Sequence, residues 1–197
     1  GIAHEINNPL AVMLGYARLM QRSPDATVAD DARRIAAEAE RCSAIVQGLL
    51  DLARPTQLNL GAVDLGEVVR DVADALVTSG TSIVLEVAPA PTVTGDAKKL
   101  RQIVTNLLRN AAEAAPGEPI TIHFETRAKA DVMHVTDRGP GIAPGVDLFE
   151  PFQTSKPSGT GLGLAVSRAL ARAHAGDLTF TANPTTFSLT LPKREAA

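Results

Sequence analysis

The chain has 197 residues, of which 45% are hydrophobic and 3% aromatic, and it carries a formal net charge of −3. This length allows one full domain plus a smaller element. The acidic balance and the few aromatic residues argue against a general nucleic-acid surface of basic patches and stacking rings. No segment approaches the roughly 20 apolar residues of a membrane span, and no signal sequence stands at the start.

Two helices are predicted at the N-terminus, because apolar residues recur there at alternating steps of four and three. Ser23-Pro24-Asp25 supplies the turn between them, and Pro55 ends the second helix at or before Arg54. Two helices alone cannot surround their apolar stripes, so we expect two hairpins to pair as a homodimeric four-helix bundle. The stripes contain Ile6, Leu10, Met13, Ala17 and Met20 in the first helix and Ile35, Ala39, Cys42, Val46 and Leu49 in the second.

The position of Cys42 on the second stripe predicts a packed core thiol, and a single cysteine excludes both an internal disulfide and a cysteine metal cluster.

Beyond Arg54 the pattern changes to mixed helices and strands, which predicts an α/β sandwich with one sheet covered by helices on one face. We therefore divide the chain into a helical hairpin, residues 1–54, and a second domain, residues 55–197. The fold class is α+β. The second domain is predicted to contain helices at 64–77, 96–115 and 162–174 and strands at 82–87, 120–126, 132–136, 178–182 and 187–191.

His4 lies outside the apolar register of the first helix, and Asn8 shares its exposed face one turn further on. A lone histidine is ordinarily a satisfied core or surface residue. The segment from His4 to Leu10, however, reads HEINNPL and resembles the H-box of two-component sensor histidine kinases, whose histidine accepts the γ-phosphoryl group of ATP. The resemblance implies that Glu5 holds the other ring N–H and that Asn8 positions water for dephosphorylation of a partner regulator.

The predicted helix 96–115 has an apolar face and a polar face, with Asn106, Asn110 and Glu113 on the polar one. Such a face is ordinarily only solvated. The string NLLRNAAEA, which starts at Asn106, resembles the family's N-box. The resemblance implies Asn110 as the magnesium ligand, Asn106 as a phosphate or ribose contact, and Arg109 as a further nucleotide-binding residue. An amide oxygen suits Mg²⁺, which prefers hard oxygen ligands. The apolar face consists of Leu100, Ile103, Val104, Leu107, Leu108 and Ala111.

Asp137 directly follows a predicted strand and begins the sequence DRGPGI. A tight turn is the plain interpretation of this glycine- and proline-rich segment. An ionised Asp137 can also accept a hydrogen bond from the adenine exocyclic amine, while Gly139 and Gly141 let the backbone approach the base. The segment resembles the G1 box of the family.

The segment GTGLGL, from Gly159 to Leu164, leads into the last predicted helix, whose unpaired N–H groups and positive dipole end favour a triphosphate. Its spacing differs from the dinucleotide-binding and P-loop patterns. It resembles the G2 box of the GHKL ATPases, the wider group that includes histidine kinases and gyrase. The resemblance implies nucleotide contacts for Gly159, Thr160, Gly161, Leu162 and Gly163.

The sequence FEPF at residues 149–152 resembles the family's F-box, and residues 153–158 would form a short lid over the nucleotide. Phe149 and Phe152 are nevertheless more often core anchors. Lys156 either reaches a phosphate or remains a mobile surface charge. His123, His134 and His174 lack ligand spacing and are interpreted as structural or surface residues, so no metal cluster is predicted beyond nucleotide-bound magnesium.

These boxes occur in the family's order from His4 to Leu164, so the chain is predicted to be the catalytic core of a sensor histidine kinase. The resemblance implies ATP and Mg²⁺ as cofactors, autophosphorylation of His4, and transfer to an aspartate of a response-regulator receiver domain. Two alternatives remain open: a GHKL ATPase without histidine phosphorylation, and a dimeric scaffold that binds nucleotide. Because the chain begins at Gly1, we expect a fragment, either cytoplasmic or the cytoplasmic part of a membrane-bound sensor, without nucleic-acid or membrane contact.

Overall fold

A computed structural model describes residues 2–53, 57–77, 83–85, 89–143, 145–154, 156 and 159–193, with backbone only for residues 2–5 and 83–85. The chain divides into two compact units. The hairpin unit comprises Gly1–Pro55 and Glu150–Gly163, and the sheet unit comprises Thr56–Phe149 and Leu164–Ala197. The segment Glu150–Gly163 thus groups with the hairpin, whereas the sequence boundary at residue 54 remains a prediction.

The hairpin unit contains α1 (Ile2–Met20) and α2 (Ala26–Ala53), which pack against each other. Asp25 caps α2, because its Oδ1 accepts hydrogen bonds from the backbone N–H groups of Thr27 at 2.9 Å and Val28 at 3.4 Å. The predicted helical hairpin and its turn are confirmed.

Small side chains form the contact between α1 and α2. Larger members of the predicted stripes are exposed, for example Met13 at 47% and Ile35 at 48%. A single hairpin therefore leaves much of the predicted stripes uncovered, because the alanine contact brings the helices together and leaves the larger side chains beside it, and burial of the stripes in a homodimer stays a prediction. Cys42 is half-buried in this single hairpin, and its position in the core of a paired bundle stays a prediction. The buried alanines are Ala17, Ala29, Ala32, Ala36 and Ala39.

Among the described residues, the sheet unit contains a five-stranded sheet of order β2-β4-β5-β7-β6, in which β2 and β4 run parallel and the other neighbours antiparallel. A separate antiparallel pair, β1 with β3, was not expected from the sequence. The elements in chain order are β1 (Gly61–Asp64), α3 (Leu65–Val77), β2 (Ile83–Leu85), β3 (Thr92–Gly95), α4 (Ala97–Ala114), β4 (Ile120–Thr126), β5 (Ala130–Thr136), α5 (Gly163–Ala173), β6 (Asp177–Ala182) and β7 (Thr185–Pro192).

The core of this unit lies between the sheet and its helices. Burial alternates along β4 and β7, as expected for a sheet that buries one face. The predicted apolar face of α4 is confirmed, since all of its members are at most 2% exposed. The opposite face of the sheet carries threonines, Ser188 and the stacked rings of His123 and His134. The α/β sandwich prediction is therefore confirmed.

Asp96 fixes the start of α4. Its Oδ1 accepts hydrogen bonds from the N–H groups of Lys98 at 3.0 Å and Lys99 at 3.1 Å, and its Oδ2 accepts one from Asn59 N–H at 2.9 Å. Burial raises the pKa of Asp96, but the backbone donors outweigh it, and the net pKa lies below its ordinary value. One carboxylate thus ties the start of α4 to the segment that precedes β1.

His174, which directly follows α5, also stabilises the start of α4. Its Nδ1 donates to the carbonyl of Leu170 at 2.7 Å, and its Nε2 accepts the N–H of Asp96 at 3.0 Å. These two contacts require the neutral tautomer with the proton on Nδ1. His174 is buried, and the predicted structural role is confirmed.

We predict that Asp96→Ala lowers the free energy of unfolding by about 1–2 kcal/mol, because three backbone donors lose their acceptor. Circular dichroism during urea unfolding measures this change. The stabilisation is present above the ordinary pKa of 3.8 and is lost as pH falls through the lower folded value, so the difference should shrink in acid. Asp71→Ala, which removes an exposed ion pair with Arg101, is the control; equal losses would contradict the capping role.

Candidate functional site

The polar face of α4 carries the predicted amide residues. Asn106 and Asn110 are half-buried, whereas Arg109 and Glu113 are exposed. The Asn106 Nδ2 donates to the hydroxyl oxygen of Ser167 at 3.1 Å, and Ser167 is fully buried on α5. This hydrogen bond holds the Asn106 amide in one orientation. The sequence interpretation missed Ser167, although a small polar residue within the apolar stripe of a helix was the available signal.

Asp137 begins the turn that follows β5. It is only 4% exposed, its N–H donates to the carbonyl of Thr185 at 3.1 Å, and its Oδ1 accepts the N–H of Gly139 at 2.8 Å. A Cβ added at Gly139 would lie 2.7 Å from that carboxylate oxygen and 3.0 Å from the Cβ of Ala114. A side chain at this position would therefore force the Asp137 carboxylate or the end of α4 to shift. The Asp137 carboxylate therefore lies in a turn that approaches the end of α4.

The glycine segment Gly159–Gly163 lies in the hairpin unit and leads into α5, which begins at Gly163. Gly161 has φ +67°, a conformation that side chains other than glycine rarely adopt. Its carbonyl accepts the N–H of Phe152 at 3.0 Å, and an added Cβ would collide with the Phe152 backbone. Thr160 Oγ1 accepts the N–H of Leu162 at 3.4 Å. The segment is thus a turn that tolerates only glycine at position 161.

The two phenylalanines of the F-box differ. The ring of Phe149 lies 5.8 Å from that of Phe180 and is half-buried. Phe152 is 56% exposed and has φ +69°, so its prediction as a core anchor is wrong. Its backbone is held in this turn by the hydrogen bond to Gly161, which leaves the ring outside the core. Lys156 is half-buried, its N–H donates to Thr154 Oγ1 at 3.1 Å, and its predicted phosphate contact stays a prediction.

The predicted phosphoacceptor lies in the first turns of α1. The helix includes His4 and Glu5, whose side chains are outside the described residues. Asn8 is exposed. On the neighbouring position, Asn7 Oδ1 accepts a hydrogen bond from Ser43 of α2 at 3.5 Å. The structure therefore confirms the helix that carries His4 and leaves the roles of His4, Glu5 and Asn8 as predictions.

Within the sheet unit, the structure brings together two of the predicted elements: the end of α4, at Ala114, and the Asp137 turn. Among the described side chains, no group of three or more His, Cys, Asp or Glu residues could hold a metal ion. An Asn110 oxygen is nevertheless a suitable single protein ligand for Mg²⁺, which keeps waters and phosphate oxygens in its shell. No helix in the described part of the chain is long and apolar enough to cross a membrane.

Two family models match the chain. Residues 95–195 match the model described as "Histidine kinase-, DNA gyrase B-, and HSP90-like ATPase". This range contains α4, α5 and the strands β4 to β7 of the sheet unit. Residues 1–58 match the His Kinase A phospho-acceptor domain. The chain therefore belongs to the sensor histidine kinases and is a catalytic core of that family.

Individual relatives agree with this assignment. The probable sensor histidine kinase TcrY of Mycobacterium tuberculosis is 38% identical over 209 residues, covering 96% of this chain and 44% of TcrY. The sensory histidine kinase/phosphatase NtrB of Salmonella typhimurium is 31% identical, covering 99% of this chain and 61% of NtrB. The crystal structure of full-length ShkA with AMPPNP has a TM-score of 0.79 at 26% identity, covering 100% of this chain and 46% of ShkA. The chain thus spans about half the length of these proteins.

We predict that Gly161→Ala weakens ATP binding by about tenfold, because a left-handed conformation costs a residue other than glycine roughly 1–2 kcal/mol. Isothermal titration with ATP measures the change. Gly61→Ala is the matched control, since an added Cβ there meets nothing within 4 Å. Equal ATP affinities of the two variants would contradict a role for the Gly161 turn.

Proposed function

We propose that the chain catalyses ATP-dependent autophosphorylation of His4 and passes the phosphoryl group to an aspartate of a response-regulator receiver domain. One observation carries the proposal: the same chain joins a phospho-acceptor domain to an ATPase fold in which the turn of the buried Asp137 approaches the end of α4. A GHKL ATPase without histidine chemistry would not need the first of these parts.

Nucleotide binding follows from the chemistry of each element. The Asp137 carboxylate accepts the adenine exocyclic amine, and Gly139 and Gly141 allow the backbone to approach the base. Asn106, oriented by Ser167, contacts phosphate or ribose. Asn110 and the phosphates would hold Mg²⁺, which when bound neutralises phosphate charge.

The remaining predicted site residues are proposed to contact the phosphates of ATP. The N–H groups at the start of α5 favour an anion, and the Gly161 turn exposes the backbone that leads into them. Two of these residues are cations that would neutralise phosphate charge. Arg109 is exposed on α4, and Lys156 lies within the predicted lid. The proposed contacts are Arg109, Lys156, Gly159, Thr160, Gly161, Leu162 and Gly163.

In the transfer step, a ring nitrogen of neutral His4 attacks the γ-phosphorus in line. The new nitrogen–phosphorus bond forms as the bond to the bridging oxygen breaks, and ADP leaves. Imidazole titrates near neutrality, so the free base is available at physiological pH. Glu5 accepts the other ring N–H and fixes the tautomer. The contribution of the protein is positioning and charge stabilisation.

The hairpin unit supports homodimer formation. Its helices bury alanines against each other and leave large apolar side chains exposed, including Tyr16 at 64% and Leu19 at 62%. A second hairpin would cover this surface and remove apolar area from water, which stabilises a four-helix bundle. The exposed apolar residues are Ile6, Val12, Met13, Tyr16, Leu19, Met20, Ile35 and Leu49.

A phosphatase activity is the second candidate function. Asn8 is exposed and lies one helical turn from His4 in sequence. An amide oxygen can accept a hydrogen bond from water and aim it without changing charge. The relative NtrB is named a kinase/phosphatase, which supports the same activity for this chain.

We predict that the parent chain becomes labelled from γ-labelled ATP and that the label is lost in acid and retained in alkali, as a phosphoramidate requires. His4→Gln should abolish the label and leave ATP affinity unchanged, because the substitution lies outside the ATPase fold. A receiver-domain panel added to the labelled chain detects onward transfer. Stable labelling of His4→Gln, or ATP hydrolysis without any labelled protein, would exclude the proposed reaction.

Asp137 is predicted to select adenine. Asp137→Ala should weaken ATP binding by about tenfold or more, since a charged hydrogen bond contributes on the order of 1.5–3 kcal/mol. Asp137→Asn should shift preference toward GTP, because an amide can donate to the guanine carbonyl. Competition binding with ATP and GTP measures both effects. Equal affinity of the parent chain for the two nucleotides would show that Asp137 does not read the base.

Asn8 is predicted to be needed for dephosphorylation of the receiver domain but not for autophosphorylation. Asn8→Ala should leave autophosphorylation intact and slow dephosphorylation of a cognate phospho-receiver by about tenfold, the effect of losing a water-positioning contact. Single-turnover assays of both reactions measure this, with Asn7→Ala as the neighbouring control. An unchanged phosphatase rate would remove Asn8 from the site, and equal loss of both activities would indicate a general effect on α1.

A further inference from the structure

A buried hydrogen bond joins α4 to α5 within the sheet unit. The Asn106 Nδ2 donates to Ser167 Oγ at 3.1 Å, and Ser167 is 0% exposed. Val166 and Leu170, which share α5 with Ser167, are apolar and also buried. A hydroxyl group in such surroundings is costly unless it is hydrogen-bonded, and alanine has the higher helix propensity. The contact with Asn106 therefore accounts for a serine at this position.

A second contact shows that α4 and α5 run in opposite directions. The N–H of Asp96, at the start of α4, donates to Nε2 of His174, which directly follows α5. Further along α4, Asn106 meets Ser167, which precedes His174 in the chain. A step forward along α4 is therefore a step backward along α5. The residues that follow Asn106 on α4 consequently lie toward the first turn of α5.

The hydrogen bond also indicates which parts of the two helices face each other beyond Asn106. Residues three or four apart lie on the same face of a helix, about one turn from each other. Asn110 therefore lies on the face of α4 that Asn106 turns toward α5, one turn further along. Leu164 lies three residues before Ser167, in the first turn of α5. Asn110 and the first turn of α5 are thus at corresponding levels of the two helices.

We propose that Ser167 is a positioning residue: through Asn106 it sets the spacing between the Asn110 amide and the backbone N–H groups in the first turn of α5. The inference rests on the proposed ATP-dependent function, in which Asn110 holds Mg²⁺ and these N–H groups attract the triphosphate. Because Mg²⁺ demands near-ideal octahedral geometry, a small shift of one helix against the other weakens a site that uses both. Ser167 should therefore affect ATP binding most when Mg²⁺ is present.

The experiment uses isothermal titration of the full chain with ATP in excess Mg²⁺, with ATP in EDTA, and with adenosine. Ser167→Ala should weaken binding of ATP with Mg²⁺ about fivefold, which corresponds to about 1 kcal/mol, and leave adenosine binding unchanged. Binding of ATP in EDTA should change less, because no metal ion then has to be held between the two helices. Ser167→Cys should recover part of the affinity, since a thiol sulfur is a weak acceptor.

Val166→Ala is the matched control on the same helix. Val166 is buried next to Ser167 in sequence, and its side chain has no polar group that could contact Asn106. Its truncation removes core packing from α5 and should lower the free energy of unfolding. The ratio of the ATP affinities with and without Mg²⁺ should nevertheless stay at the parental value. A change in this ratio that is confined to Ser167→Ala therefore reports the hydrogen bond.

A double-mutant cycle tests whether Ser167 acts through Asn106. Asn106→Ala removes both a proposed nucleotide contact and the amide that bonds the buried hydroxyl. Adding Ser167→Ala to Asn106→Ala should leave the affinity for ATP with Mg²⁺ unchanged, because the residue through which Ser167 acts is already absent. The same addition should raise the free energy of unfolding, since it removes a buried hydroxyl that has lost the amide. Urea unfolding measures this second effect.

Three results would overturn the inference. The first is a Ser167→Ala variant with parental affinity for ATP with Mg²⁺, and the second is an equal loss of affinity for ATP and adenosine. The third is an additive loss of ATP affinity in the double variant. Ser167→Cys takes the place of Ser167→Ala in each comparison if Ser167→Ala does not fold.

Failure of the proposed function gives a different result. A parent chain that binds ATP with Mg²⁺ without becoming labelled would refute the proposed phosphotransfer, while the affinity comparison would still test Ser167. A parent chain that binds no ATP would refute both the proposed function and the inference.

Discussion

The sheet unit depends on a single constraint, which is that α4 must serve the core and the candidate nucleotide site at once. One face of this helix is almost fully buried, and the half-buried amides of Asn106 and Asn110 lie on another. Asp96 fixes the start of the helix, and the Gly139 turn approaches its end. Since a helix moves as a rigid element, core packing also positions the amides and the nearby Asp137 carboxylate.

The two units are stabilised in different ways. The sheet unit buries leucine, isoleucine and methionine side chains within itself, whereas the helices of the hairpin unit bury mainly alanine and expose larger apolar residues. The hydrophobic contribution to stability is roughly proportional to the apolar area that is buried. A single hairpin is therefore stabilised much less by its own packing than the sheet unit is. This difference supports pairing of two hairpins and separates the consequences of mutation: changes at His4 should spare nucleotide binding, and changes at Asp137 should spare pairing.

Periodic features of the fold could be predicted from the sequence. The apolar face of α4, the hairpin and the alternating strands β4 and β7 follow from repeats of 3.6 or 2 residues. The pairing of β1 with β3 could not be predicted from the sequence, because each strand has four residues and the two strands are far apart in the chain. Long-range contacts such as that of Asn106 with Ser167, and the exposure of Phe152 through its left-handed backbone, likewise depend on tertiary structure.

The most direct test of this account is whether nucleotide brings a divalent cation to α4. Mn²⁺, a paramagnetic substitute for Mg²⁺, can be added to ¹⁵N-labelled protein while the side-chain amide resonance of Asn110 is followed by NMR. The account predicts strong broadening of this resonance when ATP and Mn²⁺ are both present and a sharp resonance with Mn²⁺ alone. A resonance that stays sharp with saturating Mn²⁺ and ATP would contradict the proposed role of α4.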